Sequence, residues 1–206
     1  MSDLSDHPLV ADRLAKLRSV DCPPEEFRRH VADIARLLVL PATAHLPTVP
    51  APVSTPLQAM TGMKLSRPLI LVPILRAGLG LSEGFHQLLP EAAIAHYGMA
   101  RNEKTLHAEI YLEKFPTNLA QADVIVLDPM LATGGSAVAA IDGLKKHGAK
   151  SLHFVCLVAS PEGLKHLKSA HPELSVTCAA VDEGLNEMGY ILPGLGDAGD
   201  RIFGTI

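Results

Sequence analysis

The chain has 206 residues, of which 48% are apolar and 19% charged, and its net charge is −4. That length suits one domain, or one plus an appendage, with enough apolar mass for a real core, which excludes a disordered chain. The acidic balance without a basic stripe argues against nucleic acid as a partner, and three cysteines (Cys22, Cys156, Cys178) without CxxC spacing argue against a disulfide scaffold and fit a reducing compartment.

The N-terminal MSDLSDHPLV has no basic stretch before an apolar run, so no secretory signal is expected. Residues 8–40 read as helical. Leu9, Leu14 and Leu17, then Phe27, Val31, Ile34, Leu37 and Leu38, recur at spacings of three and four, and Pro23-Pro24-Glu25-Glu26 marks a helix start. The proline-rich stretch 41–57 is expected to end helical structure. From Leu37 to Met63 no residue carries a formal charge, a span long enough to cross a bilayer. Pro41, Pro47, Pro50, Pro52 and Pro56 make it a loop or a set of short edge strands instead. A soluble cytoplasmic protein with no membrane partner is the expectation.

The centre changes character. The run from Pro68 to Leu75 (PLILVPIL) is apolar without alternation, as buried parallel strands are. It stops at Arg76-Ala-Gly78, and a short helical pattern follows to about Leu89. Further strands are expected at Ala92–Met99, Asp123–Leu127, Ser151–Ala159 and Leu174–Val181, with helices from about Ser136 to His147 and over Pro161–Ala170. Strands alternating with helices of this length imply a parallel α/β sheet with right-handed crossovers. Residues 182–206 form a glycine-rich tail with little periodicity.

Ligands in such sheets bind at the carboxyl ends of strands, and three loops qualify. In Asp128-Pro-Met-Leu-Ala-Thr-Gly-Gly-Ser136, Thr133, Gly134, Gly135 and Ser136 could turn successive N–H groups toward a phosphate at a helix start, with Asp128 accepting from sugar hydroxyls. The plain alternative is a strand–helix turn with Ser136 as its cap. No lysine follows the glycines, so it is not the ATPase phosphate loop. In Leu75-Arg-Ala-Gly-Leu-Gly80, Arg76 could meet a diphosphate, or only a surface carboxylate. The tail from Gly189 to Arg201 could wrap backbone around a flat ligand, with Tyr190, Ile191, Leu192, Leu195, Ile202 and Phe203 as apolar anchors.

Other motifs are set aside. Gly194-Leu-Gly-Asp-Ala-Gly199 matches G-x-G-x-x-G but lacks a following helix, and Ser82 in Gly80-Leu-Ser-Glu-Gly84 fits the first turn of a helix better than a nucleophile elbow. The histidines are expected mostly at the surface or at caps and to hold no zinc. Cys156 and Cys178 are expected to be inert core residues, and Asp142, Lys145 and Lys146 to mark a solvated helix face.

The strings VPILRAGLG (72–80), VLDPMLATGGSAVAAIDGLKKHGA (126–149), VASPEGL (158–164), AHPEL (170–174) and GLNEMGYILPGLGDAGDRIFGT (184–205) resemble the uracil phosphoribosyltransferases, of the type I phosphoribosyltransferase fold. HPLV (7–10) and FRRHVADIARLL (27–38) look like the family's N-terminal part. The single Asp128 followed by proline, where other phosphoribosyltransferases usually carry two adjacent acids, points to the uracil branch.

The resemblance implies a reaction in pyrimidine salvage: uracil plus 5-phospho-α-D-ribose 1-diphosphate (PRPP) gives UMP plus diphosphate. It implies that Asp128, Pro129, Met130, Leu131, Ala132, Thr133, Gly134, Gly135 and Ser136 hold the ribose hydroxyls and 5-phosphate of PRPP. Arg76 and Arg101 would bind the diphosphate, Arg101 on a mobile segment of about 100–120 covering the site. Ile191, Gly196, Asp197 and Ala198 would read the uracil edge, and Asp197 would also touch PRPP. Arg76, Asp128 and Asp197 are the catalytic candidates. Mg²⁺ would arrive on the diphosphate with few or no protein ligands.

The expected architecture is a central parallel sheet of about five strands flanked by helices, in one domain over 1–206. The N-terminal helices and proline-rich segment take 1–60, the core sheet 68–181 and a base-binding hood 182–206. Truncation after Tyr190 is expected to leave the sheet folded. A homodimer or higher homo-oligomer is implied. Ala100, where the family commonly has an aromatic residue, and LPATAHL (40–46), where it commonly has a glutamate and an arginine, depart from the pattern and bear on dimer contacts, regulation and PRPP affinity. The alternative is a non-catalytic relative that senses PRPP or UMP on the same fold. An RNA-binding regulator is a third option, which the acidic charge disfavours.

Overall fold

A computed structural model of the chain describes residues 1–101 and 108–205. After a two-residue strand β1 (Ser2–Asp3), the expected helical stretch divides into α1 (Pro8–Arg18) and α2 (Pro24–Thr43). Pro24 takes the first position of α2, with Glu25 and Glu26 in its positive first turn. Contrary to expectation, α2 runs through Pro41. The missing N–H falls in the last turn, where it removes a single bond before the helix ends anyway.

The stretch 41–57 does not simply end structure. β2 (Thr48–Ser54) pairs antiparallel with β3 (Ala59–Leu65) in a separate two-stranded hairpin, with Pro50 opposite Met63 and Pro52 opposite Thr61. A two-stranded ribbon is all edge, so its prolines sit where no ladder donor is needed.

The core follows. β4 (Leu69–Leu75), α3 (Gly78–Leu88), β5 (Ala93–Ile94), β6 (His96–Arg101) and β7 (Ala108–Lys114) lead to β8 (Asp123–Leu127), β9 (Met130–Leu131), α4 (Gly135–Lys146), β10 (Ser151–Ala159), α5 (Pro161–Ala170) and β11 (Ser175–Val181). The nine-stranded sheet has the order β1-β11-β10-β8-β4-β6-β7, with β5 beside β4 and β9 beside β10. All pairs are parallel except β6–β7. Four of the five predicted strands are present as single strands, and the fifth, over Ala92–Met99, is divided into β5 and β6. The sheet is larger than expected because two-residue strands and the antiparallel β7 carry no periodic signal. β7 also puts 108–114, part of the segment expected to be mobile, into a strand. Residues 102–107 of that segment lie outside the described residues.

The apolar runs do not alternate because both faces of the sheet are covered. Leu69 and Leu71 of β4 and Ile125 and Leu127 of β8 face α1, α2 and α3, among Phe27, Val31, Ile34, Leu38 and Phe85. Their neighbours Ile70, Val72, Val124 and Val126 face α4 and α5, among Ala140, Ile141, Leu144 and Leu167. Each such side chain contributes about 1.5–3 kcal/mol on burial. Cys156 and Cys178, partners across β10 and β11, are buried and free, as expected. Most described histidines lie at the surface or at caps, as expected, His171 at the end of α5 among them; His30 and His153 are buried within the fold.

The tail has more structure than its glycines suggest. β12 (Gly184–Leu185) and β13 (Ile191–Leu192) form a small antiparallel sheet, and α6 (Ala198–Phe203) follows. A helix therefore does begin inside the G-x-G-x-x-G match, although it spans only six residues. Ile191, Leu195, Ala198 and Ile202 belong to the core cluster of α1–α3. Arg28 donates to the Ile202 carbonyl (2.8 Å), and Arg201 lies over the Phe27 ring, 4.3 Å from its centroid. The tail is part of the core. Removing everything after Tyr190 would open the core, and the expectation that the sheet survives that truncation is corrected accordingly. No helix among the described residues is long and apolar enough to cross a membrane.

Candidate active site

The chain leaves β4 through α3 toward β6, and leaves β8 through α4 toward β10, on the opposite side. β4 and β8 are neighbours, so the loops after them flank the point where the strand order reverses. That crevice is where open α/β sheets bind ligands.

One wall is the loop after β8. It opens α4 through Gly134, which caps the helix with φ 82°, so Ser136 is the second helical residue and not the cap. The loop is held from behind. Ser160, fully buried, donates to the Ala132 carbonyl (2.6 Å) and caps α5 by accepting from the Gly163 N–H (2.9 Å). The Ser160 N–H donates to the Leu131 carbonyl (2.9 Å), and His166 Nδ1 lies 2.8 Å from the Thr133 carbonyl. Gly163 lets α5 approach: a Cβ there would stand 2.3 Å from the Ala132 carbonyl oxygen and 2.6 Å from that of Leu131. With its carbonyls engaged from behind, the loop has N–H groups and the start of α4 left for an anion.

The other wall is the tail. Asn186 Oδ1 accepts from the Met188 and Tyr190 N–H groups (3.0 and 2.9 Å) and closes a turn between β12 and β13. Asp197 caps α6 by accepting from the Asp200 N–H (2.9 Å). Where the walls meet, a Cβ on Gly189 would lie 3.5 Å from Thr133 Cγ2.

Between the walls lies a cavity of about 360 Å³. It is lined by Asp128, Met130, Leu131, Ala132, Thr133, Gly134, Gly135 and Ser136 on one side and by Ile191, Gly196, Asp197 and Ala198 on the other. Most of the predicted site residues thus come together although some 60 positions separate the two groups. Pro129 does not line it. Its carbonyl instead accepts from the Leu157 and Val158 N–H groups of β10 (3.0 and 3.1 Å). Arg76 does not line it either, although Ala77 does. Its guanidinium is turned to α6, 3.5 Å from Asp200 Oδ1 and 5.7 Å from the centroid of Phe203. Arg101 ends β6, and its side chain lies outside the described residues. Ala77 of the loop after β4 and Gly189, Tyr190 and Gly199 of the tail also line the cavity, within the loops read from the sequence, whereas Ala137 and Met188 line it without any sequence signal. Ser160 and Asn186 were missed as supports, although Ser-Pro-Glu is a readable helix start.

The electrostatics centre on Asp128. Its carboxylate sits at the end of β8 and, among the described residues, accepts only a long bond from the Met130 N–H (3.4 Å). Burial with so little compensation pushes its pKa up to about 7. An ionised Asp128 therefore awaits donors, and vicinal hydroxyls of a sugar are donors of that kind.

A family model for uracil phosphoribosyltransferase matches residues 4–205. The chain belongs to the uracil phosphoribosyltransferase family. It is similar to the uracil phosphoribosyltransferase of Ureaplasma parvum serovar 3, with 48% identity over 206 residues and 100% of both chains covered. The enzyme of that name from Ligilactobacillus salivarius is 49% identical over 201 residues, covering 97% of this chain and 96% of its own. Among solved structures, the AQ2163 protein from Aquifex aeolicus superposes with a TM-score of 0.90 at 36% identity, covering 96% of this chain and 95% of the other. A purine phosphoribosyltransferase from Pyrococcus horikoshii superposes with a TM-score of 0.50 at 16% identity over 73% of this chain and 85% of its own, a likeness of fold alone.

Proposed function

We propose that the chain transfers the phosphoribosyl group of PRPP to uracil, giving UMP and diphosphate, as a cytoplasmic salvage enzyme. The observation that carries this is the single cavity bounded by the 128–136 loop and by the 191–198 turn, two features that a mononucleotide needs at once. The loop and the start of α4 would take the 5-phosphate, and Asp128 the ribose hydroxyls. Bond breaking at C1 develops positive charge on the ribose, which the carboxylates of Asp128 and Asp197 would stabilise. Arg76 would swing from Asp200 to the leaving diphosphate, and Arg101 would join it. Backbone groups of Ile191 and of Gly196–Ala198 would read the uracil edge. Cytosine presents a donor where uracil presents an acceptor, and would leave a buried group unpaired at a cost of about 1–3 kcal/mol.

Mg²⁺ would be bound with the diphosphate, where it supplies charge neutralisation. Among the described residues no three His, Cys, Asp or Glu side chains are grouped for a metal ion, and the cavity offers only Asp128 and Asp197. That donor set fits an ion that keeps its waters and substrate oxygens. A homodimer or higher oligomer is supported by the β2–β3 hairpin, which exposes Val49, Val53, Leu57, Met60, Met63 and Leu65, an apolar surface that a lone two-stranded ribbon does not ordinarily leave in water.

The test is incubation with PRPP, Mg²⁺ and each of uracil, cytosine, hypoxanthine, adenine and orotate, reading diphosphate release and nucleotide formed. UMP from uracil alone is expected. No turnover with any base, with UMP raising the melting temperature, would replace the enzyme by a sensor.

A further inference from the structure

The turn that would read the base is short and rich in glycine, and a backbone reader discriminates only if its N–H and carbonyl groups are held still. The structure shows what holds it. Asp182, directly after β11, has its side chain only 5% exposed, and Arg18, the last residue of α1, reaches it across the molecule. Arg18 Nη2 donates to Asp182 Oδ1 (2.6 Å) and Nη1 to Asp182 Oδ2 (2.7 Å), a forked pair. The same pair grips Gly194 by both of its backbone groups. Its carbonyl accepts from Arg18 Nη1 (2.8 Å), and its N–H donates to Asp182 Oδ2 (2.8 Å). Gly194 is buried, with φ 61°, and a Cβ there would stand 2.1 Å from the Ile191 carbonyl oxygen. It lies between Ile191 and Gly196–Ala198, the two parts of the base-reading turn, and the clamp's hydrogen bonds use the polar groups of neither.

We propose that Arg18 and Asp182 are positioning residues for base recognition: through Gly194 they fix the 191–196 turn, so the first helix of the chain sets affinity for the base without touching it. The proposal rests on uracil as the base bound there. Among the described residues the clamp makes no hydrogen bond to the 128–136 loop, so its loss should act on one substrate. Lysine at position 18 would keep the charge but lose the fork, and so restore part of the effect.

The test is steady-state kinetics with each substrate varied, on wild type, Arg18→Gln, Arg18→Lys, Asp182→Asn and the double variant Arg18→Gln/Asp182→Asn, beside melting temperatures. The double variant leaves no unpaired buried charge, so it remains informative if a single variant misfolds. KM for uracil is expected to rise on the order of tenfold in Arg18→Gln, with KM for PRPP within about twofold of wild type and Arg18→Lys in between. The double variant should be no worse than the worse single one, since the residues act as a unit. A merely structural role would lower melting temperature and kcat while leaving both KM values alone. That result, or an equal rise in both KM values, would overturn the clamp. A wild-type protein that makes no UMP from uracil would overturn the underlying function, and the clamp's role with it, before any variant is compared.

Discussion

Replacing Asp128 by asparagine should make the ligand-free protein more stable at alkaline pH while removing its activity. With a pKa raised from 3.8 to about 7, Asp128 binds a proton more readily in the folded chain than in the unfolded one. Its contribution to stability is therefore fully present below about pH 4 and is lost as pH rises through about 7. Above that pH the native state carries a poorly solvated carboxylate whose only hydrogen bond among the described residues is the long one from Met130. A shift of that size corresponds to about 4 kcal/mol. Asparagine keeps the shape and never ionises. The variant should melt within a few degrees of wild type at pH 4.5 and roughly 8–16 °C higher at pH 8.5 in the absence of ligands, taking about 2–4 °C per kcal/mol for a chain of this size. Turnover should fall by at least about a hundredfold, since the ribose loses its carboxylate. In wild type, kcat/KM for PRPP should climb through about pH 7, because it reports the free enzyme. Scanning calorimetry across pH decides the matter. A stability difference that does not change with pH, or a variant less stable than wild type at pH 8.5, would refute the placement of a poorly solvated carboxylate at the end of β8.

Gly163→Ala should push α5 off the carbonyls of Leu131 and Ala132, costing about 1–3 kcal/mol and raising KM for PRPP; wild-type values of both would show that the loop does not depend on that approach. Arg76→Ala should raise KM for PRPP about tenfold or more. It should barely move the melting temperature, because its exposed pairing with Asp200 is worth under about 1 kcal/mol; an unchanged KM would remove Arg76 from the diphosphate site. Met60→Glu with Met63→Glu, both on the exposed hairpin, should reduce the particle mass measured by light scattering to that of a monomer, and an unaltered mass would place any interface elsewhere. Truncation after Tyr190 should yield protein without a cooperative melting transition, since Leu195 and Ile202 leave the core with it.

Much of this molecule is legible in its sequence where periodicity is long or the chain is fully buried. Ser151–Ala159 and Pro161–Ala170 are read to the residue, the first because both of its faces are covered and the second because Ser160 and Pro161 punctuate its start. The loop after β8 is legible because a glycine pair at the start of a periodic helix lies a few residues beyond a buried strand. What stays hidden is set by partners distant in sequence. β1, β5 and β9 have two residues each, too few for any pattern, and exist only through the strands beside them. β7 pairs antiparallel with β6 in a sheet otherwise parallel. His153 is buried because Thr177 Oγ1 lies 2.8 Å from its Nε2 and His45 stacks on it, contacts that span β10, β11 and the end of α2. Arg76 was readable as an anion-binding cation, but not its resting place on α6, which depends on how the tail folds back. The tail itself reads as a loose wrapper because the residues that anchor it from outside, Arg18 and Arg28, lie in the first two helices, more than 150 positions away in sequence.

The central claim is that one cavity holds a phosphate on the β8–α4 loop and a pyrimidine on the 191–198 turn. A crystal structure of the protein with UMP tests it most directly. The expected map has the phosphate against the N–H groups of Thr133–Ser136, the ribose hydroxyls on Asp128, and the uracil edge on the backbone of Ile191 and of Gly196–Ala198. UMP lying outside this cavity, or inside it with the base against the 133–136 loop, would contradict the account.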